Sequence, residues 1–249
     1  MITFIFTLTR DGITPTPSIA RSSRRKSVFL KNEGRWGETE ELKVQVMETR
    51  KRELGPEHPD TLSRIANLTS IYMDQGRLKE AEELEVQVME TMKRVLGEEH
   101  PDTLRSITDL AIIYREPRRL KEAEELELQV METMKRVLGE EHPDTLRSMA
   151  NLTSIYMDQG RWKEAEELEV QVMETMKRVL GEEHPDTLSR MANLTSIYMD
   201  HGRRKEAEEL EVQVIETMKR VLGEEHPETL SSMANLATIY RNQRRWKKA

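Results

Sequence analysis

The sequence predicts an all-α fold, a right-handed α-α superhelix of antiparallel helix pairs, and three observations carry the prediction. The stretch LGEEHPDTL stands at Leu96–Leu104 and returns unchanged at Leu138–Leu146 and Leu180–Leu188. It recurs with one Asp-to-Glu change at Leu222–Leu230, and a looser copy, LGPEHPDTL, occupies Leu54–Leu62. Every step is 42 residues, and a fixed period of that size marks an array whose units bury their apolar faces by stacking. Charged residues make up 34% and aromatics 4% of the chain, which suits long amphipathic helices with narrow apolar stripes rather than a bulky core. Between the copies, apolar residues recur three and four apart, the spacing of one helix face.

The unit from Pro59 to Glu99 shows where each helix starts and stops. Pro59 fits the first helical position, where its missing N–H costs nothing, and Asp60 sets negative charge at the positive helix end. Leu62, Ile65, Leu68, Thr69 and Tyr72 then follow helical spacing up to Gly76, a helix A of about 15 residues. Helix B runs LKEAEELEVQVMETMKRVL, with Ala81, Leu84, Val88, Met92 and Val95 on one face and Val86, Met89 and Leu96 widening it. Glu80, Glu82, Glu83 and Glu85 crowd its first half and Lys93 and Arg94 its last turn, which complements the helix dipole. Gly97 ends it, and GEEHPDT is the joint to the next helix A.

This reading divides the chain into a basic leader, residues 1–27, and an array, residues 28–249. Within the array a partial repeat, 28–58, precedes four full repeats at 59–100, 101–142, 143–184 and 185–226, and a partial repeat, 227–249, follows. Both ends lack a polar cap, so an exposed apolar face and self-association through uncapped ends are expected. Pro117 and Arg118 replace the usual Gln-Gly, so helix A of that repeat should end early.

Charge and composition exclude several functions. The net charge is −7, and residues 1–31 hold six Lys/Arg against one acid, so the array is near −12 and repels phosphates; no nucleic acid partner is expected. Absence of cysteine removes disulfides and thiolate metal sites and is compatible with a reducing compartment, so a cytoplasmic location is expected. The apolar start MITFIFTL is far too short to span a bilayer, and no membrane partner is expected. The stretch Ser18–Lys31 reads either as a disordered leader or as an Arg/Ser-rich transit peptide.

The histidines His58, His100, His142, His184 and His226 recur with the loop. Equivalent atoms in stacked helices lie roughly 10 Å apart, whereas zinc ligands sit about 2 Å from their ion. They are therefore read as loop structure, with no metal and no other cofactor. A residue repeated with the fold is usually structural, so the chain is not expected to be an enzyme.

These units resemble tetratricopeptide repeats, on Leu68, Thr69, Tyr72, Gly76, Ala81 and Pro101 and again on Leu152, Tyr156, Gly160, Ala165 and Pro185. HEAT-type repeats share the period but not this Tyr–Gly–Ala register. The 42-residue period with HPDTL, YMDQGR and KEAEEL looks like the kinesin-light-chain variety, and most like arrays of fungal NLR-like nucleotide-binding proteins. A kinesin light chain would need a heptad coiled coil, which residues 1–31 with Pro15 and Pro17 do not contain, and such a receptor a GxxxxGK[ST] loop, which does not occur; the alternatives are therefore the sensor array of such a receptor separated from its switch domain, or a kinesin-light-chain-like cargo adaptor. One departure concerns the family's large aromatic four residues after the alanine. Here that position holds Glu85, Glu127, Glu169 and Glu211, and Leu84, Leu126, Leu168 and Leu210 are expected to fill the space.

What the resemblance implies about function is a noncatalytic scaffold that binds a protein or peptide along a concave wall of A helices. One rung of that wall reads Asn67, Asp109, Asn151, Asn193 and Asn235, and the resemblance implies that an asparagine there contacts bound peptides. Such side chains donate and accept, and so can hold an extended backbone without reading its sequence; the alternative is an intramolecular or solvated asparagine. Other rungs vary between copies, with Arg105 and Arg147 against serines, Ser70, Ile112, Ser154, Ser196 and Thr238, and Arg115 and Arg241 against methionines. Selection for a ligand and drift at tolerant positions both produce such variation. Trp36, Trp162 and Trp246 share one register, either packing between helices or anchoring a partner. A structural, self-associating fragment remains the reading from a different class.

Overall fold

The computed structural model describes residues 36–116 and 118–242. The leader, Pro117 and Trp246 lie outside the described residues, as does the side chain of Trp36. Ten helices and no strand occur among the described residues: α1 Trp36–Leu54, α2 Pro59–Asp74, α3 Leu78–Leu96, α4 Pro101–Ile113, α5 Leu120–Leu138, α6 Pro143–Asp158, α7 Trp162–Leu180, α8 Pro185–Asp200, α9 Arg204–Val221 and α10 Pro227–Asn242. Even-numbered helices are the A helices and odd-numbered ones the B helices. They form two compact units, divided between Glu98 and Glu99. In the first, α2 packs on α1 and on α3; in the second, every helix from α4 to α10 packs on the next.

The repeated loop histidine is a helix cap. His142 has extended backbone (φ −68°, ψ 137°) and its Nδ1 accepts the backbone N–H of Asp144 at 3.2 Å, with Pro143 in the first turn. His58, His100, His184 and His226 accept from the residue two positions on at 3.1–3.3 Å. An N-terminal helix N–H without an intrahelical acceptor is thereby satisfied, a task more often given to Ser, Thr, Asp or Asn. The buried Thr145, Thr187 and Thr229 hydroxyls donate to the carbonyls of Gly139, Gly181 and Gly223 at 2.8–2.9 Å, tying each joint to the end of helix B. Gly139 itself sits at φ +95°, where a side chain would be strained.

Helix A ends in a Schellman turn. Arg161 N donates to Tyr156 O at 2.8 Å and Gly160 N to Met157 O at 2.9 Å around Gly160 at φ +73°. Helix α4 has no glycine there and stops at Ile113 after 13 residues instead of 16, as the Glu-Pro-Arg sequence leads one to expect.

The core corrects the expected stripe of helix B. Its buried row in α3 is Ala81, Glu85, Val88 and Met92, and in α5 Ala123, Glu127, Val130 and Met134. The leucines Leu84, Leu126, Leu168 and Leu210 are only half-buried; the glutamates themselves occupy the inner position, Glu127 being 0% exposed. Residues four, seven and eleven beyond the alanine form the face wedged between two A helices, and Leu84 lies to one side of it. Val95, expected on the packed face, is exposed, as are Val137, Val179 and Val221, in the last turns of the B helices. In helix A, Leu62, Leu68 and Thr69 are buried as expected, and Thr61 and Ile71, which the apolar spacing does not mark, are buried with them.

Candidate functional site

Each turn between helices A and B carries an arginine cluster. Arg161 lies over the Tyr156 ring at 4.2 Å, bonds Glu164 at 3.0 Å within its own repeat, and reaches Glu124 of the preceding B helix at 2.6 Å. Arg203 repeats this with Tyr198, Glu206 and Glu166, and Arg77 with Tyr72, Glu80 and Glu40. Hydrogen bonds from Arg161 hold the Glu164 carboxyl below the usual carboxylate range. A second row joins the last turn of each B helix to the preceding joint: Arg94 to Glu57, Arg136 to Glu99 and Arg220 to Glu183, at 2.6–2.8 Å. These arginines join successive repeats.

The asparagine rung is not uniform. Asn67 is exposed and its Nδ2 donates to the Ser63 carbonyl of its own helix at 2.6 Å. Asn151 Nδ2 donates to Glu127 Oε1 at 3.3 Å, and the same oxygen accepts from Ser148 Oγ at 2.7 Å. Asn193 and Asn235 stand beside Glu169 and Glu211, lowering pKa values that burial raises. At Asp109 burial pushes the carboxyl up to about 6, against the opposing pull of Arg105 and Arg147.

The other rungs mostly turn back on their helices. Ser70 donates to Asn67 O, Ser154 to Ala150 O, Ser196 to Ala192 O and Thr238 to Ala234 O, at 3.0–3.5 Å. Arg105 pairs with Asp102 at 3.3 Å and Arg147 with Asp144 at 2.5 Å. Arg115 bridges the ends of two A helices through Asp158 at 2.6 Å.

Within the second unit Arg147, Asn151 and Ser154 of α6 meet Asn193 of α8 around one cleft. Ile112 and Arg115 line another with Leu120 and Asp158. Asn67 and Ser70 lie in the first unit, and neither cleft includes Asp109, Arg105, Ser196, Asn235, Thr238 or Arg241. Sequence reasoning missed Arg190, which lines the first cleft and stands 3.6 Å from Glu169. Its signal was available in the exchange of Arg147-Ser148 for Ser189-Arg190 between copies. Trp162 opens α7 and is half-buried. Among the described residues no three His, Cys, Asp or Glu side chains group to hold a metal.

Family comparison decides what kind of array this is. A profile described as Tetratricopeptide repeat matches residues 24–60, 145–186, 187–228 and 229–249, and a second of the same description matches 62–136. The chain belongs to the tetratricopeptide repeat family. Among solved structures, this tetratricopeptide array is similar to the nearly identical TPR-like repeats assigned to a kinesin light chain of Podosopora anserina. Two structures of those repeats, one a variant, are 34% and 33% identical, with TM-scores of 0.69 and 0.67; each match covers 83% of this chain and 98% of the other. BtubC (BKLC) of P. vanneervenii, 20% identical with a TM-score of 0.68 over 84% of this chain and 83% of its own, shares the fold. A search of curated proteins returns no match. The relatives are kinesin-light-chain-like and do not bear on the fungal NLR-like proteins. No described helix is long and apolar enough to cross a membrane.

Proposed function

We propose that this tetratricopeptide array is a noncatalytic, cytoplasmic scaffold that binds an extended protein segment along its A helices. The observation supporting this most directly is the cleft between α6 and α8, where Arg147, Asn151, Ser154 and Asn193 from successive repeats converge. Two asparagines one repeat apart offer amide and carbonyl groups to a backbone, the chemistry of sequence-tolerant peptide capture. A net charge of −7 favours protein over nucleic acid as the partner. The test is selection of binders from a displayed library of 12-residue peptides lacking Asp, Glu and His. Asn151→Ala with Asn193→Ala should weaken a selected peptide at least tenfold; unchanged affinity, or a library yielding no binder, refutes the reading.

A second reading, self-association, is favoured by α10. Its Leu230 and Met233 are 51% and 42% exposed, whereas Leu188 and Met191 at the same register of α8 are 1% and 3% exposed. An apolar face of this kind pairs with whatever amphipathic helix is offered to it. Mass measured by light scattering across a concentration series should rise if copies associate; a constant monomer mass refutes it.

A further inference from the structure

A carboxylate at the packed centre of α3, α5, α7 and α9 needs a reason. Glu127, Glu169 and Glu211 are at most 1% exposed, and the four-residue spacing to the alanine before them marks a site where an apolar side chain would pack. Replacing a buried ionised group by a hydrophobe of similar size is commonly neutral or stabilising, so such a group is weak as a stabiliser and better suited to fixing geometry. Its oxygens are incompletely satisfied: Glu127 Oε2, Glu169 Oε1 and both Glu211 oxygens lack a hydrogen bond.

What Glu127 contacts is the rung of asparagines, and Asn193 and Asn235 hold the same register relative to Glu169 and Glu211. Glu127 accepts from Asn151 Nδ2, 24 positions on and one repeat later, and Asn193 and Asn235 stand at the same separation from Glu169 and Glu211. A carboxylate only accepts hydrogen bonds, so an asparagine facing it must turn its NH2 inward, and the planar amide then carries its carbonyl oxygen away from the core. The first unit supplies the contrast. There the register of the glutamate holds Lys43, whose Nζ donates to the Asn67 backbone carbonyl at 3.0 Å, and the Asn67 amide turns onto Ser63 of its own helix. Where the carboxylate is missing, the asparagine side chain adopts another hydrogen bond.

We propose that Glu127 is a positioning residue for the partner-facing Asn151, and that by the same register Glu169 and Glu211 act on Asn193 and Asn235, setting the orientation in which the ladder meets a bound backbone. The inference rests on the peptide-binding reading above. It makes the ladder present carbonyl acceptors to the N–H groups of the partner while the carboxylates are ionised. Protonation removes the constraint, because a carboxylic acid also donates and accommodates either face of the amide.

The groups facing each carboxylate differ. Glu127 meets Asp109 and Thr108 of α4 and Ser148 and Asn151 of α6. Glu169 meets Thr153 of α6 and Arg190 and Asn193 of α8, and Glu211 meets Thr195 of α8 and Ser232 and Asn235 of α10. Burial raises all three pKa values, so they leave their ionised state above the pH of an ordinary glutamate.

The experiment has two arms on the full chain. In the first, side-chain NH2 resonances are followed by NMR from pH 4 to 8. The Asn151, Asn193 and Asn235 pairs should titrate above the ordinary glutamate range while Asn67 does not follow, and Glu127→Gln should abolish the response of Asn151. A flat Asn151 pair, or one that still titrates in the variant, overturns the proposal. In the second arm a library peptide without Asp, Glu or His is bound at pH 8 and pH 5. Affinity should fall on acidification by about two- to tenfold per rung, the scale of one hydrogen bond, and Glu127→Gln with Glu169→Gln should flatten that dependence. Titrating amides with a pH-independent affinity would also overturn the proposal. If no peptide binds at any pH, the partner reading fails, whereas the amide titration still decides whether the carboxylates orient the asparagines.

Discussion

Asp109→Asn should stabilise the protein at neutral pH and leave it unchanged in acid. Asp109 occupies the register that holds Asn67, Asn151, Asn193 and Asn235 in the other repeats, so the substitution installs the side chain the fold already accepts four times. Burial raises its pKa from 3.8 to about 6, with Arg105 and Arg147 pulling the other way. A carboxyl with a folded pKa above its unfolded value is disfavoured in its ionised form by the native state. Below about pH 4 both states are protonated and the effect vanishes. As pH rises from 4 to 6 the unfolded chain releases its proton first, and native stability falls; above 6 the loss is complete. A difference of about two units at ~1.4 kcal/mol each gives about 3 kcal/mol. Urea unfolding of both proteins between pH 4 and 8 measures the difference directly. Its pH dependence reports this carboxyl together with the buried Glu127, whose pKa the Asp109 charge also raises. A variant no more stable than the parent at pH 7, or a difference constant across the range, would refute the argument from burial.

Three further outcomes follow from local geometry. His142→Ala removes the acceptor for Asp144 N–H and should lower stability by about 1 kcal/mol, with His142→Asn recovering most of it, read from thermal unfolding. Ile155→Ala, at a fully buried position of α6, should cost about 2–5 kcal/mol, whereas Val137→Ala, 46% exposed, should stay within about 0.5 kcal/mol in urea titrations. Arg161→Ala loses the stack on Tyr156 and two carboxylate partners, and with a half-exposed guanidinium the loss should be on the order of 1 kcal/mol, smaller in 1 M salt.

Much of the candidate site was legible because copies within one chain can be compared. The register alone marks Arg147, Asn151, Ser154 and Asn193, and they line one cleft. At the register of Arg190 the copies alternate between arginine (Arg64, Arg190) and serine (Ser106, Ser148, Ser232), a variation the comparison shows, and the proximity of Glu169 marks it as significant. The glutamates were misplaced for a related reason. A hydrophobicity pattern ranks Leu126 above Glu127 for the interior, yet Ser148 and Asn151 of the following helix supply the hydrogen bonds that allow a carboxylate there.

The sequence by itself determined the helix pairs and their punctuation. Proline at a first turn, glycine just past a last turn and three- and four-residue apolar spacing act within a few residues of where they stand, as Pro143, Gly139 and Gly160 do. Only the tertiary structure decided which residue of a wide stripe faces inward. It also joined Arg161 to Glu124 and Asn151 to Glu127. Those contacts join side chains separated by 37 and 24 positions, and they depend on the angle and offset at which neighbouring helices cross, which periodicity along one helix does not encode.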